Sequence, residues 1–225
     1  MNVHALVWWG VGRTLLSGIT RALVPMKGYG KERVPRAGGL VLALNHLSWI
    51  DVPVFATLCP RRIVYLAKAE AHEALVLGQF IRAFGTLSVR RGESDRAAVR
   101  LARETVRRNQ ALGMFVEGTR QRSGQPGRAL PGAAMVAIQE GVPVVPAAIY
   151  GSFEWRPGNF YPVSVAYGEP IRFDHLPRSS KGYREATAEI ETEIRRLWEF
   201  LGEMHRRGRP DGVPPRRAAL PSRTG

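Results

Sequence analysis

Residues 40–51 read LVLALNHLSWID and join a short apolar run to a polar segment that opens a helix. An apolar run of this length, preceded by glycine and rich in Leu and Val, is typical of a strand buried on both faces of a sheet. Ser48, followed three residues later by Asp51, fits a capping box and predicts a helix that begins at Ser48. His46 is therefore expected on the loop between the strand and the helix.

Outward from this stretch, short apolar runs bounded by Gly or Pro alternate with helical patterns. The predicted strands cover 40–44, 63–66, 86–89, 112–116, 142–149 and 163–166. The predicted helices cover about 49–58, 70–83, 93–110, 130–140 and 181–205. This alternation predicts an α/β fold with a largely parallel central sheet flanked by helices. Ligands of such sheets bind at the carboxyl ends of the strands, so we expect the polar segments that follow residues 44 and 116 to share one cleft.

The length of 225 residues and the hydrophobic fraction of 44% are enough for one substantial core. We predict one catalytic domain, residues 27–204. Cys59 is the sole cysteine, which excludes an internal disulfide, and no cluster of Cys and His has the spacing of a zinc site. A cytosolic-facing protein without a bound metal is the simplest expectation.

The net charge of +14 arises from 29 Arg and 4 Lys against 19 acidic residues. Such a field attracts polyanions, namely nucleic acid, anionic lipid headgroups or phosphorylated small molecules. The five Trp residues are scattered and do not interleave with an Arg-rich strand, which argues against a nucleic-acid partner. An anionic membrane surface is therefore the polyanion that we expect.

The two ends of the chain have their own patterns. Residues 1–26 combine apolar residues and a Trp pair with Arg13 and Arg21, which is typical of an amphipathic helix in the membrane interface and not of a membrane span. The alternative is a helix packed on the protein's own core. The basic residues follow the apolar start, an order unlike that of a signal peptide. Residues 205–225 hold six Arg and four Pro and few large apolar residues, so their composition predicts a disordered basic tail.

His46 and Asp51 are the candidate base and its orienting partner. A five-residue step turns about 140° around a regular helix, so the two side chains face each other only if one lies off the helix. From the loop the imidazole can fold back onto the Asp51 carboxylate, which leaves its other nitrogen free to take a proton. The chain contains no Gly-x-Ser-x-Gly nucleophile elbow, so we expect the attacking hydroxyl to belong to the substrate. The alternative is simple helix capping beside a surface histidine.

Two turns carry arginine directly after predicted strands. Residues 117–120, Glu-Gly-Thr-Arg, follow the strand at 112–116, and residues 90–92, Arg-Arg-Gly, follow the strand at 86–89. A guanidinium group matches a phosphate monoester bidentately, and glycine permits the sharp turn. Glu117 can accept a hydrogen bond from a substrate hydroxyl or hold Arg120 in place. The alternative is a surface ion pair for each Arg and a turn-stabilising carboxylate for Glu117. The candidate substrate-binding residues are Glu117, Gly118, Thr119, Arg120, Arg91 and Arg90.

Four blocks in order over residues 28–170 resemble the phospholipid/glycerol acyltransferase family, which includes 1-acyl-sn-glycerol-3-phosphate acyltransferases. Residues 45–51 look like its Asn-His-x-Ser-x-x-Asp block, and residues 85–92 resemble its second block, with a basic residue for phosphate. Residues 115–120 resemble Phe-Pro-Glu-Gly-Thr-Arg, with Val116 in place of the usual Pro, and residues 142–146 resemble the apolar fourth block. A further departure is Leu130-Pro131-Gly132, where a Lys commonly precedes the glycine.

The resemblance implies transfer of a fatty acyl group from acyl-CoA or acyl-carrier protein to the free hydroxyl of 1-acylglycerol 3-phosphate, giving phosphatidic acid in phospholipid biosynthesis. It implies that His46 deprotonates the hydroxyl, that Asp51 orients His46, and that Arg120 and Arg91 hold the phosphate. It also implies no metal or redox cofactor. With the interfacial helix, these features predict a peripheral or monotopic enzyme at the cytoplasmic face of the cell membrane.

Three alternatives remain at this point. The acceptor of the acyl group can instead be glycerol 3-phosphate or another lysolipid. A non-catalytic basic protein that binds membranes or nucleic acid belongs to a different class. Thioester hydrolysis is disfavoured, because an arginine-lined site implies a bound anionic acceptor.

Overall fold

The computed structural model describes residues 14–68, 86–89 and 95–217. Its strands are β1 Met26–Tyr29, β2 Leu40–Leu44, β3 Ile63–Lys68, β4 Thr86–Val89, β5 Ala111–Phe115, β6 Val144–Tyr150 and β7 Val163–Tyr167. Its helices are α1 over 14–23, α2 Asp51–Leu58, α3 Asp95–Arg107, α4 Gly132–Glu140 and α5 Ser180–Arg206, with a 3-10 turn at Lys31–Arg33. The predicted helix at 70–83 lies outside the described residues.

The strands form one sheet of seven in the order β1-β7-β6-β2-β5-β3-β4. Every neighbouring pair is parallel except β6 and β7, which run antiparallel. The predicted α/β fold with a largely parallel sheet is therefore confirmed. The central strand β2 pairs with β5 on one side and with β6 on the other, so the segment that follows β2 leaves from the middle of the sheet edge.

The two faces of the sheet carry separate layers of the core. Leu40, Leu42 and Leu44 of β2 point to one face, where they pack with α2. Val41 and Ala43 point to the other face and pack with residues of α3, α4 and α5. Because both faces are covered, β2 reads as an uninterrupted apolar run without the polar alternation of a half-exposed strand. Burying each of these Leu side chains contributes roughly 1.5–3 kcal/mol.

Edge strand β1 is absent from the predicted strands. Its sequence, Met26-Lys27-Gly28-Tyr29, contains a charge and a glycine and so lacks the apolar run used to find the others. It pairs in parallel with β7, which supplies the hydrogen bonds that the local sequence does not indicate. An edge position tolerates such a composition, since only one side of the strand is paired.

The chain after α5 differs from the prediction of a disordered tail. Residues 207–217 follow α5 and lie beside β1, where Lys27 Nζ donates to the carbonyl of Arg209 (2.8 Å) and the Tyr29 hydroxyl donates to that of Pro210 (3.1 Å). These side-chain bonds to backbone carbonyls order a segment that has little apolar surface to bury. The residues after 217 lie outside the described part of the chain.

Helix α1 exposes an apolar stripe. Leu15, Ile19 and Leu23 are 63%, 52% and 51% exposed, and their four-residue spacing places them on one side of the helix. Thr20 and Val24 are buried against the protein. In the described part of the chain, no helix is long and apolar enough to cross a membrane. The N-terminal helix as a membrane-interface element stays a prediction, and residues 1–13 lie outside the described residues.

Candidate active site

The two polar segments meet at the carboxyl edge of the sheet, as the sequence predicts. Leu44, the last residue of β2, lies in register with Phe115, the last residue of β5. His46 and Glu117 each follow two residues later. The backbone N–H of His46 donates to Glu117 Oε2 over 2.7 Å, so the two segments are in direct contact.

His46 and Asp51 form the expected pair. His46 Nδ1 lies 2.8 Å from Asp51 Oδ2. The same oxygen accepts the backbone N–H groups of Leu47 (2.6 Å) and Ser48 (2.8 Å), so Asp51 acts here as an acceptor. We therefore assign the proton of the neutral imidazole to Nδ1, which leaves Nε2 with its lone pair.

The predicted capping box is wrong in its detail. Helix α2 begins at Asp51, with Ile50 as its N-cap and no side-chain cap on the helix, and Ser48 lies in the turn before it. The Asp51 carboxylate reaches back out of the helix to the loop N–H groups. A regular helix would point the side chains of His46 and Asp51 about 140° apart. Because residues 48–50 form a turn before α2, the two side chains can face each other despite their five-residue spacing.

Asp51 is fully buried, whereas the His46 side chain is 17% exposed. The His46 ring stacks on Phe115 with centroids 3.9 Å apart and an interplanar angle of 21°. Phe115 also contacts Tyr65, stacked at 5.9 Å, and Phe55, edge-on at 6.4 Å. Imidazole orientation is therefore set by a buried carboxylate at one nitrogen and by an aromatic wall along the ring face.

The Glu117 side chain bonds to two backbone segments of the site, and its predicted contact with substrate stays a prediction. Its side chain is buried, with Oε2 accepting the His46 N–H and Oε1 accepting the Gly127 N–H over 2.9 Å. Burial raises the pKa of the Glu117 carboxyl to about 7, while the two N–H donors act in the opposite direction. Both carboxylate oxygens accept backbone N–H groups, so Glu117 fixes the backbone of the His46 loop.

The turn after Glu117 also holds the backbone of His46. Gln121 N–H donates to the His46 carbonyl over 2.8 Å. Gly118 has a φ of 69°, the left-handed conformation that favours glycine, so the predicted sharp turn is confirmed. Thr119 and Arg120 follow and are exposed. Arg90 and Arg91 lie outside the described residues.

Asn45, the first residue of the Asn-His-x-Ser-x-x-Asp block, directly precedes His46, and its role is not evident from the sequence. It is fully buried, and its side chain makes two hydrogen bonds to the backbone of Ile149 in β6: Nδ2 donates to the carbonyl (3.2 Å) and Oδ1 accepts the N–H (2.8 Å). Asn45 thereby extends the β2–β6 pairing by one residue and directs the chain into the His46 loop. A polar residue at the end of a fully apolar strand is the signal that could have found it.

Trp49 connects the site to helix α1. It is 47% exposed and packs edge-on against buried Trp155, with ring centroids 5.7 Å apart. Trp155 Nε1 donates to the carbonyl of Leu23 at the end of α1 over 3.4 Å. The end of α1 is therefore connected through Trp155 to the segment that follows His46.

Among the described residues, no group of three or more His, Cys, Asp or Glu side chains is arranged to hold a metal ion. The chemistry that the site itself offers is that of a single imidazole with a buried carboxylate partner. The fold and the site thus define an α/β protein that presents such a pair at the ligand-binding edge of its sheet, where an imidazole can act as a general base.

Comparison with known proteins narrows this class. The family model described as Acyltransferase matches residues 26–150, and the chain belongs to this family as an O-acyltransferase. It is 27% identical over 187 residues to the 1-acyl-sn-glycerol-3-phosphate acyltransferase of Bacillus subtilis (strain 168), covering 80% of this chain and 91% of that protein. It is 33% identical over 180 residues to the lyso-ornithine lipid O-acyltransferase of Pseudomonas aeruginosa, covering 79% of this chain and 64% of that protein.

The same fold occurs in a solved structure. The crystal structure of the 1-acyl-sn-glycerophosphate (LPA) acyltransferase PlsC from Thermotoga maritima matches with a TM-score of 0.70 and 23% sequence identity. The match covers 86% of this chain and 79% of that one. The resemblance to acyltransferases that the four sequence blocks carry is thus confirmed at the level of family and fold.

Proposed function

We propose that this protein acylates the free hydroxyl of 1-acylglycerol 3-phosphate and so forms phosphatidic acid in phospholipid biosynthesis. The observation that carries the proposal is the 2.8 Å hydrogen bond between His46 and buried Asp51 at the edge of the sheet. The Bacillus relative named above is the comparison that favours this acceptor.

The proposed reaction is a direct transfer. His46 Nε2 takes the proton of the acceptor hydroxyl while the oxygen attacks the carbonyl carbon of the thioester, forming the C–O bond. The tetrahedral intermediate collapses, the C–S bond breaks, and the leaving thiolate takes the proton back from the imidazolium. Asp51 stabilises the imidazolium and keeps Nε2 aimed at the acceptor. The thioester supplies the driving force, so we propose that no metal or redox cofactor takes part.

The acceptor phosphate requires cationic groups beside the base. Arg120 is exposed on the turn whose Glu117 side chain accepts the His46 N–H. This position makes Arg120 the described residue that we expect to contact the headgroup. We propose that Arg120 binds the phosphate, together with Arg91 and Arg90. Gly118 and Thr119 shape the turn that presents Arg120.

The acyl donor is proposed to be a thioester, either acyl-CoA or acyl-carrier protein. Both donors carry a phosphopantetheine arm and negative charge, which the net charge of +14 attracts. The two donors are distinguished by supplying each one separately in the assay below.

We also propose that the protein acts at a membrane surface, as a peripheral or monotopic enzyme at its cytoplasmic face. The support is the exposed stripe of Leu15, Ile19 and Leu23, since such a surface favours the headgroup boundary over water. Exposed Trp49, three residues after His46, contacts Trp155, which bonds to the end of α1, so the stripe and the His46 segment are structurally connected. Co-sedimentation with vesicles of phosphatidylglycerol, compared with a variant in which all three stripe residues are Ser, tests this proposal.

The test of the activity is a product assay. Purified protein receives an acyl thioester and, in separate reactions, 1-acylglycerol 3-phosphate, glycerol 3-phosphate or lyso-ornithine lipid, and products are identified by mass spectrometry. We expect phosphatidic acid from 1-acylglycerol 3-phosphate and none from His46→Ala. Undiminished product in His46→Ala would refute the base assignment.

The Pseudomonas relative supports a second candidate, acylation of a lyso-ornithine lipid. That acceptor has a zwitterionic amino-acid headgroup in place of a phosphate. Its carboxylate can also pair with a guanidinium group, but its ammonium group cancels the charge, so it depends less on a cation than a phosphate monoester does. Arg120→Met separates the two candidates, because it raises the KM for a phosphate acceptor much more than the KM for a zwitterionic one.

A further inference from the structure

Helix α5 is far from His46 in sequence, yet it reaches the loop that follows β5. Glu191 Oε2 accepts the backbone N–H of Ala129 over 2.8 Å. Arg195 donates to the carbonyl of Gly127 over 3.3 Å and to Glu191 Oε1 over 3.2 Å. One helical turn of α5 thus binds the loop at an N–H and at a C=O two residues apart.

The same stretch of loop is bound to the site from its other side. The Gly127 N–H donates to Glu117 Oε1, and Glu117 Oε2 accepts the N–H of His46. The contacts therefore lead from His46 through Glu117 and the two adjacent peptide groups of Gly127 to Arg195 and Glu191. Hydrogen bonds joined in this way support one another and hold their members in one arrangement.

We propose that Glu191 and Arg195 are positioning residues of the active site, which act on His46 through Gly127 and Glu117. The proposal rests on the proposed function for its kinetic readouts. Neither side chain belongs to the four sequence blocks, and neither is among the predicted site residues. Both act through other groups, without a contact to the reacting atoms.

The part of α5 that carries Glu191 and Arg195 is packed in the core. Ile190 and Ile194, the residues just before Glu191 and Arg195, are 1% and 2% exposed and pack in the core layer beneath the sheet. The loop, in contrast, carries Arg122 and is mostly exposed, so its backbone would otherwise bond to water. Fixing an exposed, basic loop to a packed helix supplies the support that a catalytic group needs to stay within about 0.5 Å of its working position.

Because Arg195 is charged, the proposal can be tested by the pH dependence of kcat/KM as well as by stability. The charged groups around the Glu117 carboxyl are Asp51 on α2, which raises its pKa, and Arg195 on α5, which lowers it, with the His46 N–H as a donor from the loop after β2. The ionised carboxylate is the stronger acceptor for both N–H groups, because protonation of Glu117 places a hydrogen on one of its two oxygens. Loss of Arg195 therefore shifts the acidic limb of the kcat/KM profile to higher pH, by roughly half a unit for a partly exposed charge.

The matched control is Glu203 with Arg206, another ion pair of α5, whose side chains bond to each other over 2.6 Å. We expect Glu191→Ala to lower kcat roughly tenfold, with Glu191→Gln milder because its amide oxygen can still accept the Ala129 N–H. Arg195→Met should move the acidic limb upward. Glu203→Ala and Arg206→Met should change neither quantity.

Amide hydrogen exchange separates failure of this proposal from failure of the proposed function. Exchange at Gly127, Ala129 and His46 should accelerate in Glu191→Ala and not in Glu203→Ala, whether or not the protein acylates the proposed acceptor. In the Glu117→Gln background Glu191→Ala should cost no further activity, because its effect passes through Glu117. Additive losses in the double variant, or unchanged exchange at the three amides, would overturn the positioning role.

Discussion

Glu117 accepts the backbone N–H of His46 over 2.7 Å, although the two residues are 71 positions apart in the chain. The bond joins the loop after β2 to the loop after β5, two neighbouring strands of a parallel sheet. This bond bears on the interpretation of the Glu-Gly-Thr-Arg turn, because the Glu117 side chain faces inwards, towards the His46 backbone, whereas Arg120 is exposed to solvent. Glu117 thus positions the His46 loop, while exposed Arg120 stays the predicted contact for the substrate phosphate.

Asp51→Asn should reduce kcat on the order of 10²-fold or more while the fold is retained. The asparagine must place its carbonyl oxygen where Oδ2 accepts three N–H groups, which preserves the loop but removes the negative charge that stabilises the imidazolium. Circular dichroism and kcat measured on the same preparation check the prediction. A variant with wild-type kcat would show that the Asp51 charge is not used in catalysis.

Asn45→Ala should lower the free energy of unfolding by about 2–4 kcal/mol, because two backbone groups of Ile149 lose their buried partners. Urea unfolding measures this loss. Asn45→Asp is the matched comparison, since it keeps the acceptor for the Ile149 N–H but replaces the donor by a buried charge, so we expect it to be at least as destabilising. If Asn45→Ala unfolds at the wild-type urea concentration, the two bonds do not stabilise the strand end.

Gly118→Ala should cost about 1–2 kcal/mol through the φ of 69° at this position. The added Cβ meets only the end of the Leu130 side chain, at 2.9 Å, and that side chain is exposed and can move. Gly118→Asn should cost less, because asparagine tolerates the left-handed region. Equal stability of Gly118→Ala and wild type would contradict the conformational argument; thermal unfolding of the three proteins decides it.

The sequence predicts those helices and strands that are specified by residues close together in the chain. The strand at 40–44 is found at its exact bounds and the last helix within one residue, because apolar runs and helical spacing are read from neighbours in the chain. Strand β1 is not found, since its stability comes from pairing with β7 far along the chain. The segment 207–217 is missed for the same reason, as its partners lie in and beside β1.

The candidate site also combines contacts that the local sequence predicts with contacts that depend on the folded chain. The contact of His46 with Asp51 follows from residue types and a short spacing, and the structure confirms it. The inward orientation of Glu117 depends on which N–H groups face it after folding, so motif reading alone assigns it to the ligand. The contacts of Glu191 require the packing of α5 against the sheet and have no counterpart in the sequence pattern.

Glu117→Gln should change how stability depends on pH. The pKa of the folded Glu117 carboxyl is about 7 against an ordinary value of 4.5, so the folded chain holds a proton in this range that the unfolded chain has lost. Its contribution is fully present below pH 4.5 and is lost as the pH rises to 7, which amounts to about 3 kcal/mol. Relative to wild type, the free energy of unfolding of Glu117→Gln should therefore increase by this amount between pH 4.5 and 7. A constant difference across the range, measured by urea unfolding, would contradict the raised pKa.

His205→Gln should have the opposite effect. Burial and nearby Arg209 lower the pKa of the His205 imidazole from 6.5 to about 4, so as the pH falls through this range the unfolded chain takes up a proton first and the wild type loses up to about 3 kcal/mol. The glutamine can keep the hydrogen bond to Ser164 Oγ, which lies 3.0 Å from His205 Nε2. Relative to wild type, His205→Gln should gain stability as the pH falls from 6.5 to 4.

Between about pH 4.5 and 6.5 these two groups cancel in the wild type, because the folded chain carries the Glu117 proton and the unfolded chain carries the His205 proton. Urea unfolding of the two single variants and the double variant, at several pH values, tests the balance. The single variants should diverge from wild type with slopes of opposite sign, and Glu117→Gln with His205→Gln in one chain should run parallel to wild type. If the single variants share one slope, one of the two pKa shifts has the wrong direction, and the double variant then departs from wild type with the sum of both slopes.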